Sequence, residues 1–149
     1  MNDSGAIELL LVEDNPQDLE LTLRALRRAN LSNRIQVARD GAEALDYIFC
    51  EGVHAGRRIA DGPRVVLLDL KLPKIDGLEV LRRMKSDERT GMIPVVVLTS
   101  SKEQSDVVES YQLGVNSYIV KPVNFEGFAA AVSSLGLYWL LLNQPPKVD

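Results

Sequence analysis

Val65–Val80 reads VVLLDLKLPKIDGLEV. Its opening VVLL is a short continuous apolar run, the pattern of a strand covered on both faces. The run ends at Asp69, and a loop carrying Pro73 follows. Asp76 and Glu79 then stand three apart ahead of Val80, Leu81 and Met84, which is the signature of a capped amphipathic helix. A buried strand, a loop and a capped helix in that order make one β–α unit.

The same unit recurs on both sides of this stretch. Upstream, Ile7–Val12 (IELLLV) is a second apolar run. Asn15 and Pro16 start a helix after it, with Pro16 suited to the first helical position. Leu19, Leu23 and Leu26 give that helix an apolar stripe. Ile35–Ala38 reads as another strand, and Asp40 with Glu43 caps a helix carrying Leu45, Ile48 and Phe49. Downstream, Pro94 announces the strand Val95–Leu98. Lys102–Tyr111 reads as a helix closed by Gly114. Tyr118–Val120 is a short last strand, and a final helix runs from Asn124 to a stop before Pro145 and Pro146. Glu51–Arg64, rich in Gly, Arg and Ala, has no period and is long for a connection in such a fold. Five β–α units imply a parallel sheet with helices on both faces, because parallel strands need crossover connections.

The composition fits one soluble domain. The chain has 149 residues, 46% hydrophobic and 26% charged, with a formal net charge of -4. That balance gives no bias toward nucleic acid or anionic membranes, and no basic, aromatic-interleaved face is present. No run approaches the roughly 18 apolar residues of a membrane span, and the N-terminus lacks a signal-peptide pattern. A cytoplasmic location is the default expectation. Cys50 is the only cysteine, which excludes an internal disulfide and a Cys-based metal cluster; it reads as a small buried apolar residue. His54, the only histidine, lies in the irregular connection and reads as exposed and uncommitted, so no Ser-His-Asp arrangement forms.

In a parallel α/β sheet, chemistry sits at the carboxyl ends of the strands. The first strand ends in Glu13-Asp14, the third in Asp69, the fourth in Thr99-Ser100-Ser101, and the fifth is followed by Lys121-Pro122. These positions converge on one rim. Three crowded carboxylates repel one another, and a hard divalent cation such as Mg²⁺ relieves that crowding. A lysine amine and a threonine hydroxyl complete a pocket suited to a phosphoryl group. Taken singly, each residue has a plainer reading: Glu13-Asp14 as an acid pair at a helix N-terminus, Asp69 as a turn residue, Thr99 as a strand-end hydroxyl, Lys121 as a solvated charge. The joint occurrence after four apolar strands outweighs those readings.

LLLVEDN, VVLLDLKLPKIDG, VVVLTSS and SYIVKP together resemble the motifs of response-regulator receiver domains, over nearly the whole chain. The resemblance implies a flavodoxin-like three-layer sandwich with a five-stranded parallel sheet of order 2-1-3-4-5 and five helices. It implies that Asp69 accepts a phosphoryl group from the phosphohistidine of a histidine kinase. It implies Mg²⁺ held by Asp14, Asp69 and the backbone carbonyl of Lys71, with Glu13 acting through water. Thr99 and Lys121 would bind phosphoryl oxygens, Thr99 and Tyr118 would form the switch, and Lys121-Pro122 would be cis. The long Glu51–Arg64 connection and the WLLLNQPP ending further resemble receivers associated with bacterial and cyanobacterial phytochromes, which implies a bacteriophytochrome-type kinase as partner. Lys71 departs from that subgroup's asparagine at a position that offers its backbone to the metal.

The expected layout is one receiver domain over 1–149, with a core of about 7–135 and a C-terminal helix extension of about 136–149. Phe128, Val132, Leu135, Trp139 and Leu142 form one helical stripe. Leu137, Tyr138, Leu140 and Leu141 lie off it, and a helix apolar nearly all round points to a partner surface. The expectation is a two-fold homodimer through these residues, with the last strand and the helix before it. Two other functions fit the sheet order. An aspartate-based phosphatase would need an acid two residues after Asp69, where Lys71 stands. A flavin module would need a neutral, hydroxyl-rich loop where Glu13-Asp14-Asn15-Pro16 is acidic. A protein-binding pseudo-receiver is disfavoured by the complete acceptor set.

Overall fold

The computed structural model describes residues 9–29, 31, 34–99, 112–115 and 117–137. The strands are β1 (Leu9–Val12), β2 (Ile35–Ala38), β3 (Val65–Asp69), β4 (Val95–Thr99) and β5 (Ser117–Val120). They form one parallel sheet in the order β2-β1-β3-β4-β5. Four α-helices lie among the described residues: α1 (Pro16–Arg28), α2 (Gly41–Ile48), α3 (Gly77–Ser86) and α4 (Phe125–Ser134). The helix expected over Lys102–Tyr111 lies outside the described residues, as do Ile7 and Glu8. No described helix is long and apolar enough to cross a membrane.

Every residue of β1, β3 and β4 is buried, because both faces of the central strands are covered. Side chains alternate across a strand, so each strand feeds two cores. Leu9, Leu11, Val65, Leu67, Val96 and Leu98 pack with α1 and α4. Leu10, Val12, Val66, Leu68, Val95 and Val97 pack with α2 and α3.

The caps expected at Asp40 and Asp76 form, and Asn15 and Asn124 also cap their helices; the cap expected at Ser101 or its neighbour lies outside the described residues. Asn15 Oδ1 accepts the backbone N–H of Gln17 and of Asp18, each at 2.9 Å. Asp40 accepts from Glu43 N at 2.7 Å, while the Glu43 carboxylate accepts from Arg39 N at 2.7 Å. Asp76 accepts from Glu79 N at 3.0 Å, and Asn124 from Gly127 N at 2.7 Å. Each cap fixes the angle at which a helix leaves the sheet rim.

Three readings are corrected. The aperiodic connection contains two 3₁₀ turns, Gly52–His54 and Ile59–Asp61. It is pinned by Arg57, which lies 3.7 Å over the Tyr47 ring and donates to the carbonyls of Tyr47 (2.5 Å) and Gly62 (3.0 Å). His54 is therefore not uncommitted: it is half-buried, edge-on to Tyr47 with ring centroids 4.9 Å apart. Cys50 is only partly buried, at a positive φ of 57°.

The third correction concerns the last helix, which stops at Ser134 instead of running on toward Pro145. Gly136 takes φ 75°. Its N–H donates to Ser133 O at 3.0 Å, and Leu137 N donates to Val132 O at 2.8 Å. This is a Schellman closure with glycine in the left-handed position and an apolar residue after it. Leu137 packs back on the core cluster that contains Val132. Tyr138, Trp139, Leu140, Leu141 and Leu142 lie outside the described residues.

Candidate functional site

Parallel register brings the strand ends level. Val12 pairs with Leu68, Asp69 with Leu98, and Thr99 with Val120. Glu13, Asp69, Thr99 and Lys121 therefore emerge side by side at the carboxyl-end rim. The cis bond at Lys121-Pro122 is present, and Lys121 N donates to Thr99 O at 2.7 Å.

The rim closes around one cation of the chain itself. Lys121 Nζ donates to Asp69 Oδ2 at 3.0 Å, Glu13 Oε1 at 3.1 Å and Asp18 Oδ2 at 3.0 Å. Asp69 Oδ1 accepts the backbone N–H of Lys71 at 3.0 Å, and Glu13 Oε2 accepts that of Asn15 at 3.2 Å. Glu13, Asp69 and Thr99 are buried, whereas Asp14 is exposed. One carboxylate oxygen each from Glu13, Asp14 and Asp69 lie within 4.8 Å of one another. A groove of about 370 Å³, lined in part by Asp14, Lys71 and Pro73, opens beside them.

The loop after Asp69 is set by close backbone approach. Gly77 N donates to Leu70 O at 3.0 Å. A Cβ on Gly77 would lie 2.3 Å from the Asp69 carbonyl oxygen and 2.6 Å from Leu70 Cα. Only glycine lets the start of α3 sit against the strand end in this way.

Five parallel strands, an acidic trio at their ends and a lysine on a cis-Pro turn agree with the family match, which spans residues 9–133 and is to the response regulator receiver domain. The chain belongs to the response regulator receiver family. The receiver is 47% identical over 139 residues to the probable methanogenesis regulatory protein FilR2 of Methanothrix harundinacea, covering 93% of this chain and 86% of FilR2. It is 36% identical over 132 residues to the response regulator Rcp1 of Synechocystis sp., covering 89% and 88%. The structure of the Mn²⁺-bound form of Rcp1 superimposes with a TM-score of 0.73 at 35% identity, covering 93% of this chain and 98% of that one. The bacteriophytochrome response regulator RtBRR superimposes with a TM-score of 0.82 at 58% identity, covering 93% and 82%.

The electrostatics of this receiver show why a metal ion suits the rim. Burial, then the hydrogen bond and charge of Asp69, raise the Glu13 carboxyl from 4.5 to about 7, with Lys121 and the N–H of Asn15 pulling the other way. Burial alone would lower the Lys121 ammonium, but hydrogen bonds to Asp18 and Asp69 and the charges of Asp69 and Glu13 raise it. One lysine thus faces more negative charge than it neutralises. The donor set is all oxygen, as a hard divalent cation requires.

Tyr118 stays apart from this pocket. It is 44% exposed on β5 and, with Val120, Pro122 and Ala130, lines a groove of about 510 Å³ between β5 and α4. Asp18 was not among the expected site residues. In sequence it reads as an ordinary acid in the first turn of a helix, where the dipole favours one.

Proposed function

We propose that Asp69 is the phosphoacceptor of this receiver and that a histidine kinase supplies the phosphoryl group. The carrying observation is the buried Asp69 carboxylate, held between Lys121 Nζ and the Lys71 N–H beside two further carboxylates. The Lys71 contact fixes Oδ1 and orients the carboxylate. An Asp69 oxygen attacks phosphorus in line as the bond from phosphorus to the kinase imidazole nitrogen breaks. Such transfer is mainly positioning and charge neutralisation. Mg²⁺ held by Asp14, Asp69 and the Lys71 carbonyl, with Glu13 behind it, would supply neutralising charge to the phosphoryl oxygens. Lys121, just after β5, supplies a further point cation, and the Thr99 hydroxyl donates to a phosphoryl oxygen.

The acyl phosphate adds roughly -2 charge to the rim. Thr99 moving inward makes room for Tyr118 to follow, which carries the change to the β5–α4 groove. Output then runs through protein contacts at that face, including a homodimer built with Tyr138, Leu140 and Leu141; Leu137 supports the core side of the same segment. The protein acts as a phosphorylated switch in the cytoplasm and loses its phosphoryl group by its own hydrolysis. The likeness to the bacteriophytochrome response regulator RtBRR supports a phytochrome-type kinase as the partner.

Phosphotransfer profiling against the histidine kinases of the source organism tests the reading. The expected result is rapid labelling by one kinase of phytochrome type and no labelling of Asp69→Asn by any. Labelling of Asp69→Asn equal to wild type overturns the acceptor assignment. Labelling only by kinases of other classes overturns the phytochrome assignment.

A further inference from the structure

Lys121 has one partner more than the acceptor chemistry needs. Glu13 and Asp69 reach its Nζ from the ends of β1 and β3. Asp18 reaches it from the first turn of α1, at 3.0 Å, and does not belong to the trio of acids close enough to share one ion. An ammonium has three N–H bonds, and three carboxylates occupy them. The partners differ in exposure: the side chains of Glu13 and Asp69 are 0% and 4% exposed, whereas that of Asp18 is 29% exposed. Asp18 is therefore the partner at the mouth of the pocket.

Its backbone position is set by the start of α1. Pro16 opens the helix and Asn15 caps it by accepting the Asp18 N–H at 2.9 Å. The lysine stem is long and flexible, so a carboxylate carried on a capped helix turn and bonded to its tip limits its freedom before any donor arrives.

We propose that Asp18 is a positioning residue for Lys121: it shares the ammonium with Asp69 and holds it on the α1 side of the pocket, ready for the phosphoryl oxygens. The inference rests on Asp69 and Lys121 being the acceptor pair. When phosphoryl arrives, Lys121 exchanges one carboxylate contact for a phosphoryl oxygen. Asp18 keeps the head group from collapsing onto Glu13 and Asp69 or swinging into solvent. A plain helix-dipole acid at this position would have no effect on the rate of transfer.

The test compares wild type, Asp18→Asn and Asp18→Glu as full chains. Phosphorylation by acetyl phosphate is followed at saturating Mg²⁺, and the Lys121 Nζ–H signal is followed by NMR with ¹⁵N-labelled lysine. A pinned ammonium exchanges its protons slowly and gives a resolved signal. Wild type shows that signal, Asp18→Asn loses it, and its phosphorylation slows by roughly fivefold, the scale of one partly exposed charged hydrogen bond. Asp18→Glu restores most of both. An unchanged rate in Asp18→Asn, an unchanged Lys121 signal in that variant, no signal in wild type, or no rescue by Glu each overturns the proposal. Failure of the acceptor reading is distinct, because wild type would then take no label or Asp69→Asn would take it.

Discussion

Lys85 and Lys121 are both partly buried lysines that tie off a rim of the sheet, at opposite ends of the molecule. Lys85 closes α3 onto the turn before β4, where its Nζ donates to the carbonyls of Gly91 and Ile93, each at 3.0 Å. Lys121 follows β5 and donates to three carboxylates. Burial lowers the Lys85 ammonium, with no charged group among the described residues opposing it. At Lys121 the surrounding acids outweigh burial and raise it. The same side chain is a structural clasp at one end and a counter-charge in an acidic pocket at the other. Burial alone does not separate the two roles; the charge of the acceptors does.

The sharpest way to break this comparison is to neutralise each lysine in turn. Lys121→Met should cut the rate of phosphorylation by about 100-fold or more, the scale of losing one preorganised charge on a developing anion. Acetyl phosphate labelling measures it. A rate within a few-fold of wild type would show that the pocket does not need its cation.

Gly77→Ala should disturb the Lys121 end while leaving the Lys85 end intact. Its Cβ meets the Asp69 and Leu70 backbone, neither of which can yield as a side-chain tip would. The expected cost is about 2–3 kcal/mol of stability, read by urea unfolding, with slower phosphorylation in the molecules that remain folded.

Lys85→Met should do the reverse. Two carbonyls lose a charged donor, which costs about 1.5–2 kcal/mol. Labelling per folded molecule should stay within twofold of wild type. A large loss of labelling without loss of stability would mean that the two ends are not independent.

A smaller effect follows from Glu13. Its pKa of about 7 in the metal-free fold lies above the ordinary 4.5. Its contribution to stability is therefore fully present below about pH 4.5 and lost as pH rises through about 7. A divalent cation must displace that proton. Mg²⁺ affinity should fall by up to about tenfold per pH unit below 7, and the added stability from Mg²⁺ should be larger at pH 8 than at pH 6. Calorimetric titration at the two values checks both, and a flat profile would assign Glu13 an ionised state throughout.

Much of this was legible in the sequence because it is local. The runs at 65–68 and 95–98 are strands because nothing polar interrupts them. Asn15, Asp40, Asp76 and Asn124 cap helices because each side chain reaches an N–H two or three residues ahead. The convergence of Glu13, Asp14, Asp69, Thr99 and Lys121 followed from one rule about parallel sheets.

What escaped was long-range or hidden by a stronger pattern. Asp18 and Lys121 are 103 positions apart, and no local spacing pairs them. Arg57 sits in a segment with no period, where a cation stacked on a tyrosine leaves no sequence trace. The stop at Gly136 was visible as glycine after a helical stripe, but the apolar run beyond it, LYWLLL, reads as continued helix. At Gly136 the backbone takes φ 75°, which closes the helix that began at Phe125 and turns Leu137 back on the core; residues 138–142 lie outside the described residues.

The central claim is that the acidic rim, and Asp69 within it, receives the phosphoryl group. The most direct measurement is to label the wild-type chain with acetyl phosphate and Mg²⁺, trap the acyl phosphate with hydroxylamine, and map the resulting hydroxamate by peptide mass spectrometry. A single modified residue at Asp69, absent when Mg²⁺ is chelated, is the predicted result. A hydroxamate at Glu13, Asp14 or Asp18 instead, or labelling that is unaffected by chelation, would contradict the account.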